Sequence, residues 1–107
     1  MELTIGFVRE FDKLKVPVGG MFTTIRRSRP DDLKYYRSHT GDVFSITVNG
    51  VYHSKARLMA VLRGPANALP GPLLDYDTDG DIEWINKITR YDEVLVLLLL
   101  KCDEQCS

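Results

Sequence analysis

Residues 42–63 read DVFSITVNGVYHSKARLMAVLR, and this stretch carries the firmest element of the fold. Asn49-Gly50 sits between two runs rich in β-branched and aromatic residues. Both residues of that dipeptide readily take the positive φ of a two-residue type I′ turn, which predicts a β-hairpin with arms 42–48 and 51–63. Outward from it, Phe22–Arg27 (FTTIRR) is β-branched and aromatic and predicts a strand, and Glu2–Phe7 (ELTIGF) predicts a short one. Val94–Leu100 (VLVLLLL) shows no alternation, so it predicts a central strand buried on both faces. Phe7, Val8, Phe11 and Leu14 recur at helical spacing and predict a short amphipathic helix ending before Pro17, with a turn at Gly19-Gly20. Asp81–Tyr91 predicts a second helix, with Ile82, Ile85 and Ile88 on one face and Lys87 and Arg90 complementing the dipole near its end. Ser28–Thr40 is polar, contains Pro30 and two adjacent aspartates, and reads as a long loop. Gly64–Pro72 (GPANALPGP), with its prolines and glycines, reads as irregular. The expected fold is α+β: a small β-barrel of about five to six mostly antiparallel strands, flanked by two short helices.

At 107 residues the chain fits a single domain, 1–107, large enough to bury a core without staples. An apolar fraction of 44% with 27% charged residues argues against disorder or a fibrous class. The longest apolar run, 94–100, falls far short of the roughly 20 residues that span a bilayer. The N-terminus has no basic segment leading into an apolar stretch, so no signal peptide is expected and the expected location is cytoplasmic. Cys102 and Cys106, with His39 and His53 distant in sequence, form no zinc-ligand spacing. In a reducing compartment both are expected as free thiols.

A net charge of −1 hides a segregation. The first 64 residues carry 11 Lys+Arg against 6 Asp+Glu, and the last 43 carry 3 against 9. Such a split permits a basic face of the kind that nucleic-acid binders present.

Gly19-Gly20-Met21-Phe22-Thr23-Thr24-Ile25-Arg26, followed by Gly41-Asp42, a late helix and a closing apolar strand, resembles the ASCH domain family of the PUA-like superfamily. The resemblance covers nearly the whole chain in element order, through the family pattern Gly-x-Lys-x-x-Thr-x-Arg. It implies a barrel with a cleft beside it that takes RNA or a modified nucleoside. It also implies that small members of this type hydrolyse acetylcytidine with a lysine, a threonine and an acidic residue. Gly19, Thr24, Arg26 and Gly41-Asp42 match, and Thr24 and Arg26, two apart on a strand, point to one side. The acidic position falls near Asp77 or Asp79. The family lysine falls on Met21, whose thioether cannot take a proton from a hydroxyl nucleophile. Little or no amidohydrolase activity is therefore expected unless another lysine, such as Lys15 or Lys34, reaches the site. The candidate catalytic residues are Thr24 and Asp77.

Two further features bear on function. Arg26, Arg27, Arg29, Lys34 and Arg37 are interleaved with Tyr35, Tyr36 and His39. Arginines grip phosphates and aromatic rings stack on bases, so Thr24, Arg26, Arg27, Arg29, Lys34, Tyr35 and Arg37 are the candidate nucleic-acid-binding set. Asp75, Asp77, Asp79, Asp81 and Glu83 match much of an EF-hand loop, but Asn86 stands where the bidentate Glu belongs and the incoming helix is missing. Weak calcium binding or a protein contact is the alternative there, and a capped helix N-terminus the simpler structural account. The primary expectation is RNA or nucleotide binding near Thr24, Arg26 and the 28–40 loop, without cofactor. The alternative is a small amidohydrolase acting on an N-acylated cytidine-type nucleoside.

Overall fold

The computed structural model describes residues 2–103. Five strands, β1 (Thr4–Phe7), β2 (Met21–Arg27), β3 (Val43–Val48), β4 (Val51–Pro65) and β5 (Glu93–Cys102), form one sheet in the order β1-β3-β4-β5-β2. Only β1 and β3 run parallel. The sheet curls into a half-barrel with three helices against it, the α+β fold expected. Helix α1 is Asp32–Ser38, α2 is Gly71–Thr78 and α3 is Ile82–Thr89.

The hairpin forms as its turn dictates, with Asn49 at φ 52° and Gly50 at φ 81°. The long strand β4 carries two irregularities, where Tyr52–Ser54 face Ile46–Thr47 and where Leu58–Ala60 face Leu98–Leu99. An extra residue at each point raises the local twist, which helps to curl the sheet. The β5 run lacks alternation because both its faces are covered. Leu95, Leu97 and Leu99 point into the half-barrel among Ile5, Phe7, Phe22, Phe44, Ile46 and Leu58. Val94 and Val96 point outward to Ile25, Ala66 and Ile88 beneath α2 and α3.

Three local expectations are corrected. The apolar spacing after β1 yields only a 3-10 turn, Asp12–Lys15, not an α-helix; it buries Lys13 together with Leu14. The 28–40 segment is not one long loop but contains α1, held to the core by Leu33 and Tyr36 one turn apart. Residues 64–72 are not irregular throughout: β4 runs to Pro65, Ala66–Ala68 make a 3-10 turn, and Pro72 lies in the first turn of α2, where its missing N–H is no loss. Three helices therefore flank the sheet, where two were expected.

The open sheet leaves β1 and β2 as edges. Arg26 on β2 reaches across, its Nη2 donating to the Gly6 carbonyl on β1 at 2.9 Å. That seam, where the barrel fails to close, is where the cleft lies.

Candidate functional site

The cleft has a volume of about 360 Å3 and is lined from both edge strands, the 8–13 segment and all three helices. This lies within the range of roughly 300–1,000 Å3 common for small-molecule sites. Its inner end is built around Thr24, which is 1% exposed and shares the inward face of β2 with Phe22 and Arg26. Lys13 arrives from the 3-10 turn and Asp77 from the last turn of α2. Lys13 Nζ donates to Asp77 Oδ1 at 2.7 Å, with the two side chains 1% and 5% exposed. Asp77 Oδ2 accepts the Ile25 N–H at 3.3 Å, which occupies an edge amide of β2. The Lys13 ammonium also lies 5.1 Å and 5.4 Å from the centroids of Phe7 and Phe11.

Burial dominates the electrostatics here. It pushes the Lys13 amine below the ordinary lysine value, with the like charge of Arg26 acting in the same sense and Asp77 opposing. It pushes the Asp77 carboxyl up, against the pull of Lys13, the Ile25 N–H and Arg26. Both shifts run toward the neutral forms, so the amine gives up its proton more readily than an exposed one would. Arg26 lies with its guanidinium carbon 4.9 Å from the Phe7 centroid, and its Nε donates to Thr24 Oγ1 at 3.4 Å. Among the described residues no carboxylate lies within ion-pair distance of Arg26, Arg27 or Arg29.

The turn that presents Lys13 is clamped from behind. Asp79, at φ 56° just past α2, accepts the Asp12 N–H at 3.1 Å and pairs with Arg9 at 3.3 Å. Arg9 also donates to the Thr78 carbonyl at 3.2 Å. Two carboxylates two residues apart thus hold one turn, Asp77 by a side chain and Asp79 by the backbone.

The expected site residues divide. Thr24, Arg26, Arg27, Arg29 and Asp77 come together in the cleft. Lys34, Tyr35 and Arg37 do not line it; they are exposed on α1, where Tyr35 stacks edge-on against Tyr36 at 5.2 Å. Tyr36 and Asp32 are the α1 side chains that face the cleft. The calcium-loop geometry is not formed, because Asp75 and Asp77 are helical in α2 and Asp77 is committed to Lys13. Asp79 holds Arg9 and Asp12. Asp81 caps α3, accepting the Glu83 and Trp84 N–H groups at 3.0 Å and 3.4 Å. Among the described residues no three His, Cys, Asp or Glu side chains are placed to hold a metal ion.

Met21 stands 45% exposed at the start of β2, away from the cleft. Of Lys13, Lys15 and Lys34, the lysine that lines the cleft is Lys13, carried on a different element from Met21. Sequence reading missed Lys13 because nothing local separates it from Lys15, which is 61% exposed in the same turn. Phe7, Phe11 and Trp84, which no motif in the sequence singles out, line the cleft as well. Cys102 ends β5 half-buried, its Sγ 3.5 Å from the Leu100 carbonyl oxygen, while Cys106 lies outside the described residues.

No protein-family model, curated protein or solved structure matches this chain. No helix among the described residues is long and apolar enough to cross a membrane.

Proposed function

We propose that the chain is an ASCH-type, PUA-like protein acting on RNA or a nucleotide, and that its cleft hydrolyses the amide of an N-acylated cytidine-type base. The buried Lys13–Asp77 pair beside Thr24 is the observation that carries this reading. A hydroxyl is a poor nucleophile until a base takes its proton, and a desolvated lysine amine is such a base. In this reading Asp77 takes up or shares the Lys13 proton and leaves the amine neutral. Lys13 removes the Thr24 proton as Oγ1 attacks the acyl carbonyl. The tetrahedral oxyanion forms against the Arg26 guanidinium. The C–N bond breaks, the leaving amine takes the proton from Lys13, and water then cleaves the acyl-threonine ester to release the carboxylate. Phe7, Phe11, Tyr36 and Trp84 supply aromatic walls for the base.

The test is turnover of an N-acylated cytidine, followed by release of the free carboxylate. Thr24→Ala and Lys13→Met should each abolish it in folded protein. Absence of turnover by the parent chain, or turnover that survives Thr24→Ala, overturns the reading.

A second reading, recognition of RNA without turnover, draws on one observation. The hydrogen bond found at Thr24 Oγ1 comes from Arg26, not from Lys13. Binding that weakens steeply with salt, with no carboxylate released, would establish it.

A further inference from the structure

We infer that the cleft is built for a phosphorylated nucleoside, with Arg27 and Arg29 at its outer end as the phosphate subsite. The inference rests on the nucleotide reading of the cleft but not on catalysis. Three observations carry it. First, the cleft crosses the edge of β2. Thr24 and Arg26 point inward while Ile25 and Arg27 point to the opposite face, yet all four line the same cavity. From Thr24 to Arg27 is three residues, about 10 Å along a strand. A ligand filling that length is more than a single ring: it has a base at the Thr24 end and a tail that passes over the strand edge.

Second, the lining carries surplus positive charge. Lys13 and Asp77 cancel as a pair, and Asp32 Oδ2 already accepts the Arg29 backbone N–H at 3.0 Å. The side chains of Arg26, Arg27 and Arg29 have no carboxylate within ion-pair distance among the described residues. In a cleft with aromatic walls such an excess focuses field on an incoming anion. Third, Arg27 is seated rather than loose. Its guanidinium carbon lies 5.7 Å from the centroid of the half-buried Tyr91 ring, which leaves the planar N–H fork open to a phosphate.

Trp84, the single tryptophan of the chain, lines the cleft and reports occupancy by its fluorescence. The titration uses cytidine, cytidine 5′-monophosphate and a short single-stranded RNA containing cytidine. The monophosphate should bind at least about tenfold more tightly than cytidine at low salt, the effect of one charge-assisted contact. Added salt should narrow the difference. The Arg27→Gln/Arg29→Gln double variant, checked for folding by its melting transition, should bring the monophosphate down to the level of cytidine. RNA binding more tightly than the mononucleotide assigns the phosphate to a polymer; weaker binding assigns it to a free nucleotide, and either supports the subsite. Equal affinity for cytidine and its monophosphate overturns it, as does a difference that persists in the double variant or no occupancy by any of the three. Turnover of neutral N-acylcytidine with no phosphate preference would remove the subsite and leave the hydrolase standing. A phosphate preference without turnover would do the reverse.

Discussion

The turn Asp12–Lys15 holds two lysines two residues apart, each facing an aspartate, and they behave as different kinds of ion pair. Lys15 meets Asp12 at 3.3 Å in open solvent, the side chains 61% and 79% exposed. Lys13 meets Asp77 at 2.7 Å with both side chains all but fully covered. In water the attraction between such charges is nearly cancelled by hydration and by the entropy of two long side chains, so the outer pair contributes little. In the interior the same attraction is strong, and so is the penalty for taking each ion out of water. The inner pair is therefore weak as a source of stability, and its role in the proposed hydrolysis draws on the same desolvation. Neither ion can lose its partner without leaving a bare charge in a cleft.

The largest consequence is the asymmetry between breaking the inner pair and replacing it. Asp77→Ala strands the Lys13 ammonium and should lower the unfolding free energy by about 3–5 kcal/mol in a denaturant titration. A loss under 1 kcal/mol would mean the pair is not buried as described. Lys13→Met combined with Asp77→Leu removes both charges together, and its stability should return to within about 1–2 kcal/mol of the parent. All hydrolysis should be gone. A double variant as unstable as Asp77→Ala alone would show that the pair, not its charge balance, holds the 3-10 turn against α2.

Stability against pH probes the inner pair next. The Lys13 amine sits below the ordinary 10.5 in the folded state, so between its folded value and 10.5 the unfolded chain holds the extra proton. The stabilising contribution is present above 10.5 and is lost as pH falls through the folded value. Asp77 has the opposite sign. Its carboxyl is raised above 3.8, so its contribution is present below 3.8 and lost as pH rises through the folded value. The melting temperature of the parent relative to Lys13→Met should therefore climb with pH in the alkaline range.

Smaller effects follow at the surface. Asp81→Ala removes the cap of α3 and should cost about 1 kcal/mol, read by the same titration. Lys15→Ala should change stability by less than about 1 kcal/mol. Micromolar calcium should leave the melting temperature unchanged, because the five acidic residues of 75–83 are spent on Lys13, on the Arg9–Asp12 clamp and on a helix cap, or point to solvent. A rise of several degrees that disappears in Asp75→Ala would restore a cation site.

Much of the fold was legible because its signals are local. Asn49-Gly50 needs only two positive φ values, β5 needs only an unbroken apolar run, and α3 carries its own cap and apolar stripe. The shared direction of Thr24 and Arg26 follows from the two-residue period of a strand. What failed to read was short or disguised. Leu33 and Tyr36 are too few to mark α1, and Pro72 hides α2 by sitting where a helix tolerates it. The calcium-like spacing of 75–83 is local as well, and it misled because its carboxylates answer to groups more than sixty residues away.

Periodicity and turn chemistry along the chain were sufficient to specify an antiparallel, helix-flanked sheet and the strand that bears Thr24. They could not specify the seam. Where a curling sheet stops short of closure depends on the summed twist of five strands, and the side chains that meet there come from segments with no sequence relation. Lys13 and Asp77 are sixty-four residues apart, and Gly6 and Arg26 lie on opposite edges of the sheet. Identical local chemistry made Lys13 and Lys15 equivalent in the sequence. Packing made one a solvated surface charge and the other a desolvated amine, since burial is a property of what the rest of the chain places against a residue.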